Sequence, residues 1–485
     1  MVTKNRNKDE TALPQRSPFS VTQKPGTRRA ASSFRDPSGF VFFEDGVLYR
    51  QINQVGRAEY QSLMESGLYQ ELVEARLLIP HQEKPDIQSN SPLAFKILRP
   101  DPVEFISYPY EWSFSQYKDA ALLTLAIQRR ALKFGLTLKD CSAYNIQFQG
   151  GKPILIDTLS FMSYQEGEPW IAYRQFCQHF LAPLALMAYT DIRLSQLMRI
   201  YIDGIPLDLA SRLLPSKTRL NFPLSIHIHL HARSQKHFAD KAIDPAMLKR
   251  RISRQQLMGL LDSLETGVRK LHWKDARTEW SDYMAAHNYS PAALEHKKQI
   301  VERFVEQIQP ATVWDLGANV GFFSRIASQR GIFTVAFDLD PGAVEQNYLK
   351  MGAEKERHLL PLLTDLTNPS PSIGWQLQER KSFLERSPAD AVFALALIHH
   401  LAIANNVPLK HLSEFFGGLC HWLIVEFIPK EDPQVLRMLA TRKDIFPNYT
   451  QAGFEQGFGE DFTIIAREQL QDSNRVLYLM ERKNP

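Results

Sequence analysis

The sequence predicts two folded parts of different class: an α/β domain over residues 290–485 built on an open, mainly parallel sheet, and an α+β domain over residues 38–235. Three observations carry this. At 485 residues the chain exceeds what one ordinary hydrophobic core supports. After Ser290, strands alternate with helical stretches, the pattern of a parallel sheet covered by helices. Before it, short hairpin-like strands are followed by long helical stretches, and no internal repeat is visible.

Residues 1–37 are rich in Lys, Arg, Ser, Thr and Pro, lack a hydrophobic period, and read as a disordered basic tail. Residues 1–36 carry eight basic and three acidic side chains, whereas the rest of the chain has 49 basic and 50 acidic ones. The net charge of +4 is therefore that of the tail, and a nucleic-acid-binding face is not expected. Order should begin at Gly39, with two short strands around an Asp45-Gly46 turn. A helix over 58–76, a polar loop near 81–92 and the aromatic segment FISYPYEWSF at 105–114 follow. The helix expected over 118–134 is closed by Gly135. Strands from Asn145 and from Pro153 to Asp157 flank Gly150-Gly151 as a second hairpin. Residues 170–220 and 240–275 read as mostly helical, and 236–289 form a connector. Cys141, Cys177 and Cys420 are widely spaced, which implies a reducing compartment without disulfides or a thiolate zinc site. With no apolar leader segment and no apolar run longer than Ala391 to Ile398, a cytoplasmic location without a membrane span is expected.

The C-terminal domain opens with Ser290 as N-cap and Pro291 at the first helical position. Ile300, Val301, Phe304, Val305 and Ile308 then share one helical face. Strands are expected at 312–315, 334–338, 359–363, 391–398 and 422–427, followed by an antiparallel hairpin of 462–466 with 476–480.

The segment Val313-Trp-Asp-Leu-Gly-Ala-Asn-Val-Gly-Phe-Phe-Ser324 is a strand, a glycine-bearing turn and the start of a helix. Gly317 and Gly321 let the backbone pass close to a ligand. Asp315 can orient the turn and receive an ammonium group. Asp338 ends the second strand, where an acid takes ribose hydroxyls. Asp365, past the third strand, stands where an acid accepts from an adenine amino group. A dinucleotide site would want G-x-G-x-x-G, and Asn319 replaces the central glycine. Asp315-Leu-Gly-Ala-Asn-Val-Gly321 resembles motif I of class I S-adenosylmethionine (SAM)-dependent methyltransferases, and in its D-x-G-A-N-x-G form the sugar O-methyltransferases of the FkbM type. The resemblance implies a Rossmann-like seven-stranded fold and SAM as cofactor, held by Asp315, Gly317, Asn319, Gly321, Asp338 and Asp365.

Methyl transfer to oxygen needs positioning and usually a base. The fourth strand delivers His399 and His400 at its end as candidate bases. In an extended strand neighbours face opposite ways, so at most one would reach the acceptor. Asn405, Asn406 and Glu426 are further candidates, the last equally readable as a buried, satisfied carboxylate. The aromatic stretch from Trp280 to Tyr289 reads either as a lid over SAM or a sugar, or as packing at the domain junction.

In the N-terminal part, Leu138-Lys-Asp-Cys-Ser-Ala-Tyr-Asn-Ile146 followed by Asp157 resembles the catalytic loop of protein-kinase-like phosphotransferases. This puts Asp140 in the base position and Asn145 and Asp157 in the metal-ligand positions, with Arg50 a candidate for the usual lysine. H-R-D is L-K-D here, D-F-G is D-T-L, and the glycine-rich loop is missing, so a kinase-like fold used for binding or docking is expected, with Mg-ATP required only if it is active. His227, His229 and His231 alternate as on a half-exposed strand, and no carboxylate or cysteine completes a metal site.

Taken together, YPYEWSFSQYKDAALLTL, LKDCSAYNIQF, QFCQHFLAPLAL, DLGANVG and ALIHHLAIANNVPL resemble the bacterial methyltransferases related to the nodulation protein NoeA, from about Gly39 to the C-terminus. The resemblance implies a SAM-dependent methyltransferase acting on a saccharide or a related small-molecule or glycan precursor. Two alternatives stay open: a bifunctional phosphotransferase-methyltransferase, and a regulatory SAM-binding protein without turnover.

Overall fold

The computed structural model describes residues 28–87, 91–233, 251–274, 289–440 and 443–483. Its N-terminal sheet is antiparallel, with strands β1 (Arg28–Arg29), β2 (Gly39–Glu44), β3 (Val47–Asn53), β4 (His81–Glu83) and β5 (Ala94–Pro100) in the order β1-β2-β3-β5-β4. Asp45 and Gly46 both take positive φ, 49° and 80°, as a two-residue hairpin turn requires. Of the tail expected to be disordered over residues 1–37, residues 28–37 are ordered. Arg28 pairs with Phe43 and Arg29 with Phe42, and Arg35 forms an ion pair with Glu379 in the other half of the chain. Neither anchor has a hydrophobic period that would announce it. Residues 1–27 lie outside the described residues.

The long helix Phe114–Lys133 is capped by Ser113, whose side chain accepts from the Gln116 N–H while the Gln116 amide oxygen accepts from the Ser113 N–H. It leads through Gly135, at φ 74°, into β6 (Leu136–Leu138), which pairs with β9 (Phe161–Ser163). Between them β7 (Ile146–Gln149) and β8 (Lys152–Leu155) form a hairpin over Gly150 and Gly151. A five-stranded antiparallel sheet, a helical part and a D-x-x-x-x-N loop between short strands make this half kinase-like.

The strand expected at His227, His229 and His231 is helical instead, over Ser225–Leu230, continuing a turn capped by Asn221. Each ring has a structural task. His227 bonds Tyr173 Oη and Ser263 Oγ at 2.8 and 2.9 Å, His229 bonds Ser211 Oγ and Thr218 Oγ1 at the same distances, and His231 stacks on Tyr173. Apolar residues between the histidines imitated a strand, while the N-cap Asn221 and Pro223 in the first turn were the overlooked helix signal.

The C-terminal sheet contains β10 (Thr312–Leu316), β11 (Phe333–Asp338), β12 (Leu359–Leu363), β13 (Ala389–Ala394), β14 (Cys420–Phe427), β15 (Phe462–Gln469) and β16 (Val476–Arg482), in the order β12-β11-β10-β13-β14-β16-β15. The first five strands are parallel, and β16 enters antiparallel beside β14. This is the strand order of class I methyltransferases. The order reverses between β10 and β13, so a ligand crevice belongs at their C-terminal ends. No described helix is long and apolar enough to cross a membrane.

The two halves share a core. Phe105 meets the rings of Trp314 and Phe337 edge-on, at centroid distances of 5.5 and 5.8 Å. Arg386 holds Glu111 through two bonds of 2.5 and 2.8 Å, both side chains being buried. The Ser115 N–H donates to Glu345, Gln116 Nε2 to the Pro361 carbonyl, and Tyr348 to Asp119. A C-terminal piece cut out alone would expose Trp314 and Phe337 and strand the Arg386 charge, so its stability depends on the N-terminal half.

Candidate functional site

The glycine turn follows β10. Gly317 and Gly321 take φ of 77° and 76°, and Asn319 takes 51°. A Cβ on Gly321 would lie 2.4 Å from the Asn347 amide, and one on Gly317 would lie 3.3 Å from Leu397 Cδ1. Asp315 is buried and accepts from Ser324 Oγ at 2.6 Å, and burial pushes its carboxyl up to about 7. Asp338 accepts from the Asn319 N–H on one oxygen, at 2.7 Å, and from the Asp340 N–H on the other, at 2.8 Å. The Leu339 N–H also bonds this carboxylate, which leaves it one acceptor position for a further donor. Burial raises this carboxyl to about 6.

Beside Asp338, Leu339 is apolar yet 66% exposed. It was overlooked in the sequence, where an apolar residue between Asp338 and Asp340 was the signal for a face on which a ring can stack. Asp365 accepts from the Thr367 N–H and hydroxyl on Oδ1. A cavity of about 400 Å³ is lined by Leu339, Pro341 and Asp365 at this end of the sheet.

The histidine pair departs from the expected geometry. β13 stops at Ala394, Ala396 turns the backbone to φ 51°, and helical structure resumes before His399. The Ala396 N–H donates to Glu426 Oε2 at 2.8 Å, which holds that turn. His399 and His400 are therefore not on opposite faces of a strand. Their rings lie 4.2 Å apart, centroid to centroid, on one helical turn, two and three residues after Leu397, the neighbour an added Gly317 Cβ would meet. His399 is buried, its Nδ1 has no partner among the described residues, and burial, with His400 and Arg475 nearby, holds its pKa well below the usual imidazole value. His400 is half-buried and is also lowered, by burial.

Glu426 is fully buried and engaged, by Lys297 Nζ at 2.7 Å, Tyr289 Oη at 2.7 Å and the Ala396 N–H. It sets the loop before the histidines and has no face toward an acceptor. Asn405 donates to the His400 carbonyl, and Asn406 sits beyond it at φ 58°. Of the aromatic stretch that begins at Trp280, residues 280–288 lie outside the described residues. Tyr289 at its end packs against Lys297 and Arg475.

The kinase-like constellation is also brought together. Asp140 accepts from Asn145 Nδ2 at 2.9 Å and from Gln175 Nε2 at 2.7 Å. Its carboxyl is raised by burial and by the nearby Asp157 charge. Asp157 is paired with Arg50 Nη2 at 2.5 Å and accepts from Ser160 Oγ at 2.8 Å. Lys139 is paired with Glu59. Gln175, which holds Asp140, has no sequence signal at all. The three expected residues meet, but a guanidinium already stands against Asp157.

No family model matches the chain. The nodulation protein NoeA of Rhizobium meliloti (strain 1021) is 36% identical over 468 residues, which cover 95% of this chain and 98% of that protein. The chain belongs to the NoeA family. Among solved structures, a SAM-dependent methyltransferase from Aquifex aeolicus is 16% identical, matching 42% of this chain and all of that one, with a TM-score of 0.29. The bifunctional kinase-methyltransferase WbdD is 15% identical over 40% of either chain, with a TM-score of 0.28.

In this NoeA-family chain the C-terminal half is a class I SAM-dependent methyltransferase domain, on its own strand order and glycine loop. A SAM molecule would find here a buried acid for its ammonium group, an acid at the end of β11 for its ribose, and a loop in which added Cβ atoms meet neighbours. Asp315 supplies a pH test. Near 7 it is partly protonated, and a ligand ammonium favours the carboxylate, so binding below pH 7 should release a proton. Affinity should then rise with pH up to about 7 and level off. Calorimetry at pH 6 and pH 8, in buffers of different ionisation heat, should show release at the lower pH that Asp315→Asn removes. Equal proton uptake at both values, unchanged by that substitution, would refute the assignment.

Proposed function

We propose that the chain methylates a hydroxyl group of a saccharide or a related glycan precursor, using SAM. The observation that carries this reading is the juxtaposition of the glycine loop and the segment leading into the His399-His400 turn, close enough that a Cβ added at Gly317 would lie 3.3 Å from Leu397 Cδ1. SAM, when bound, supplies an electrophilic methyl group. Asp315 would hold its ammonium group and Asp338 its ribose, fixing the cofactor for transfer to an acceptor placed by the histidine turn. His400, the less buried of the pair and neutral at pH 7, receives the acceptor's hydroxyl proton. His399 is neutral and enclosed, and it packs against His400. The saccharide class is supported by the D-x-G-A-N-x-G form of the loop and by the balanced charge outside the tail, which gives no footing to a nucleic acid. Mass spectrometry of cell-envelope glycans and small metabolites with and without the protein tests the reading. One species should lose a single methyl group when the protein is absent, and an unchanged glycan profile would overturn the acceptor class.

A phosphotransfer activity for the N-terminal half is disfavoured by one contact. Arg50 is paired with Asp157, so a divalent cation would have to compete with a guanidinium for that charge. Mg-ATP should therefore show no micromolar binding by calorimetry, and the full chain should release no phosphate. ATP binding that vanishes in Asp157→Ala, together with phosphate transfer, would make the protein bifunctional.

A further inference from the structure

At one corner of the helical part of the N-terminal half, the chain holds two apolar side chains in the open. Leu220 is 90% exposed and Phe222 is 70% exposed. The backbone that carries them is pinned on both sides. Thr218 is buried, and its Oγ1 donates to the Pro215 carbonyl at 2.7 Å and bonds His229 Nε2 at 2.9 Å. Asn221, between the two, accepts from the Leu224 N–H, and Pro223 and Leu224 are buried. Pro223 lies so close to the helix Arg254–Lys270 that a Cβ added at Gly267 would be 2.8 Å from its Cβ. Leu220 and Phe222 therefore stand out from a fixed frame in which burial rewards neither. Around them the charge has one sign. Lys217 and Arg219 are exposed, and the acids that precede them, Asp191 and Asp208, already pair with Arg193 and Arg212. Arg233 joins this group. Burial first, then the Arg219 and Arg233 charges, lower the His229 imidazole, so both guanidinium groups lie near that ring.

We propose that this tip docks on an anionic bilayer surface, with Leu220 and Phe222 entering the acyl boundary and Lys217, Arg219 and Arg233 meeting the headgroup phosphates. Apolar side chains projecting between cations match such an interface in both polarity and charge. A second copy of the chain matches it poorly. One aromatic side chain buries about 150–250 Å², whereas a stable protein interface takes about 800 Å² from each partner. Two-fold pairing of the tip would also bring Arg219 and Lys217 against their own copies, like charge on like. The contact is peripheral and reversible and needs no spanning helix. It is independent of the cofactor reading, so either can fall alone.

The test is sedimentation of the full chain with vesicles of phosphatidylcholine, with and without phosphatidylserine. The wild type should partition onto the phosphatidylserine vesicles and be released at about 1 M salt, where the screening length falls to about 3 Å. Leu220→Ser combined with Phe222→Ser should lower that partition at least about tenfold, with an unchanged thermal melt because both positions are exposed. Lys217→Glu combined with Arg219→Glu should do the same, since each cation near such a surface contributes about fivefold. Insertion is read separately from a polarity-sensitive dye on Leu220→Cys, the native Cys141, Cys177 and Cys420 being buried. Its emission should shift to the blue with the anionic vesicles alone. If both double variants sediment like the wild type, the basic N-terminal tail carries the binding and the tip is not the contact. If the Leu220 and Phe222 variant instead turns a dimer into a monomer by analytical ultracentrifugation, with no vesicle binding in the wild type, the tip joins copies of the chain and the proposal is wrong. A dye already shielded without vesicles and unmoved by them would mean that the chain covers its own tip, which overturns it equally.

Discussion

Gly317→Arg should abolish SAM binding, with at least a hundredfold loss of affinity, while the protein remains folded. Two effects act at this position. At φ 77° any L side chain is strained, by about 1–2 kcal/mol. Its Cβ would sit 3.3 Å from Leu397 Cδ1, so the rest of the arginine must enter the gap between the glycine loop and the histidine turn. That gap is where the cofactor's methionyl end has to pass if Asp315 is to reach its ammonium. The backbone of Gly317 also donates to the Phe337 carbonyl at 2.9 Å, a bond an arginine can keep. Calorimetry with SAM, paired with a thermal melt, separates the outcomes. A folded Gly317→Arg protein with unchanged affinity would remove the glycine loop from the cofactor site.

The methyltransferase sheet was legible because its punctuation is local. Ser290-Pro291, Asp340-Pro341 and the glycine turn each announce a helix start or a strand end, and all expected strands but one end near their observed limits. The exception is the fourth strand. Leu395, Ala396, Leu397 and Ile398 continue an apolar run, and nothing local says that the strand is over. The stop comes from Glu426, thirty residues on, which draws the Ala396 N–H into its buried carboxylate. Glu426 in turn is ionised in the core because Lys297 and Tyr289 reach it. Such a network has no sequence period, so the geometry of the histidines was out of reach although their identity was not. Arg50 against Asp157 is the same case in the N-terminal half. The acids were visible as a motif, whereas the guanidinium that closes them comes from a strand more than a hundred residues earlier.

His400→Ala should lower turnover by at least about a hundredfold at unchanged SAM affinity, as removal of a general base does. The larger loss falls on His400 and not equally on both rings, because the turn sets them in different surroundings. His399 is 3% exposed and carries the stronger downward shift, with burial compounded by His400, Arg475 and Lys297. Its proton affinity is too low, and its access too poor, to serve an incoming hydroxyl. His400 faces burial alone, so it stays neutral at pH 7 and is the better acceptor of the two. The sign of the pH dependence follows. A lowered histidine is inactivated only when it gains a proton, so turnover should be flat from pH 7 to 8. Its acid limb should lie below the ordinary imidazole value of about 6.5. His400→Ala should remove that limb along with the rate, and His399→Ala should cost less turnover and leave the limb in place. If His400→Ala keeps near-full turnover, or if the limb survives in it, the proton goes elsewhere and the site works by positioning alone.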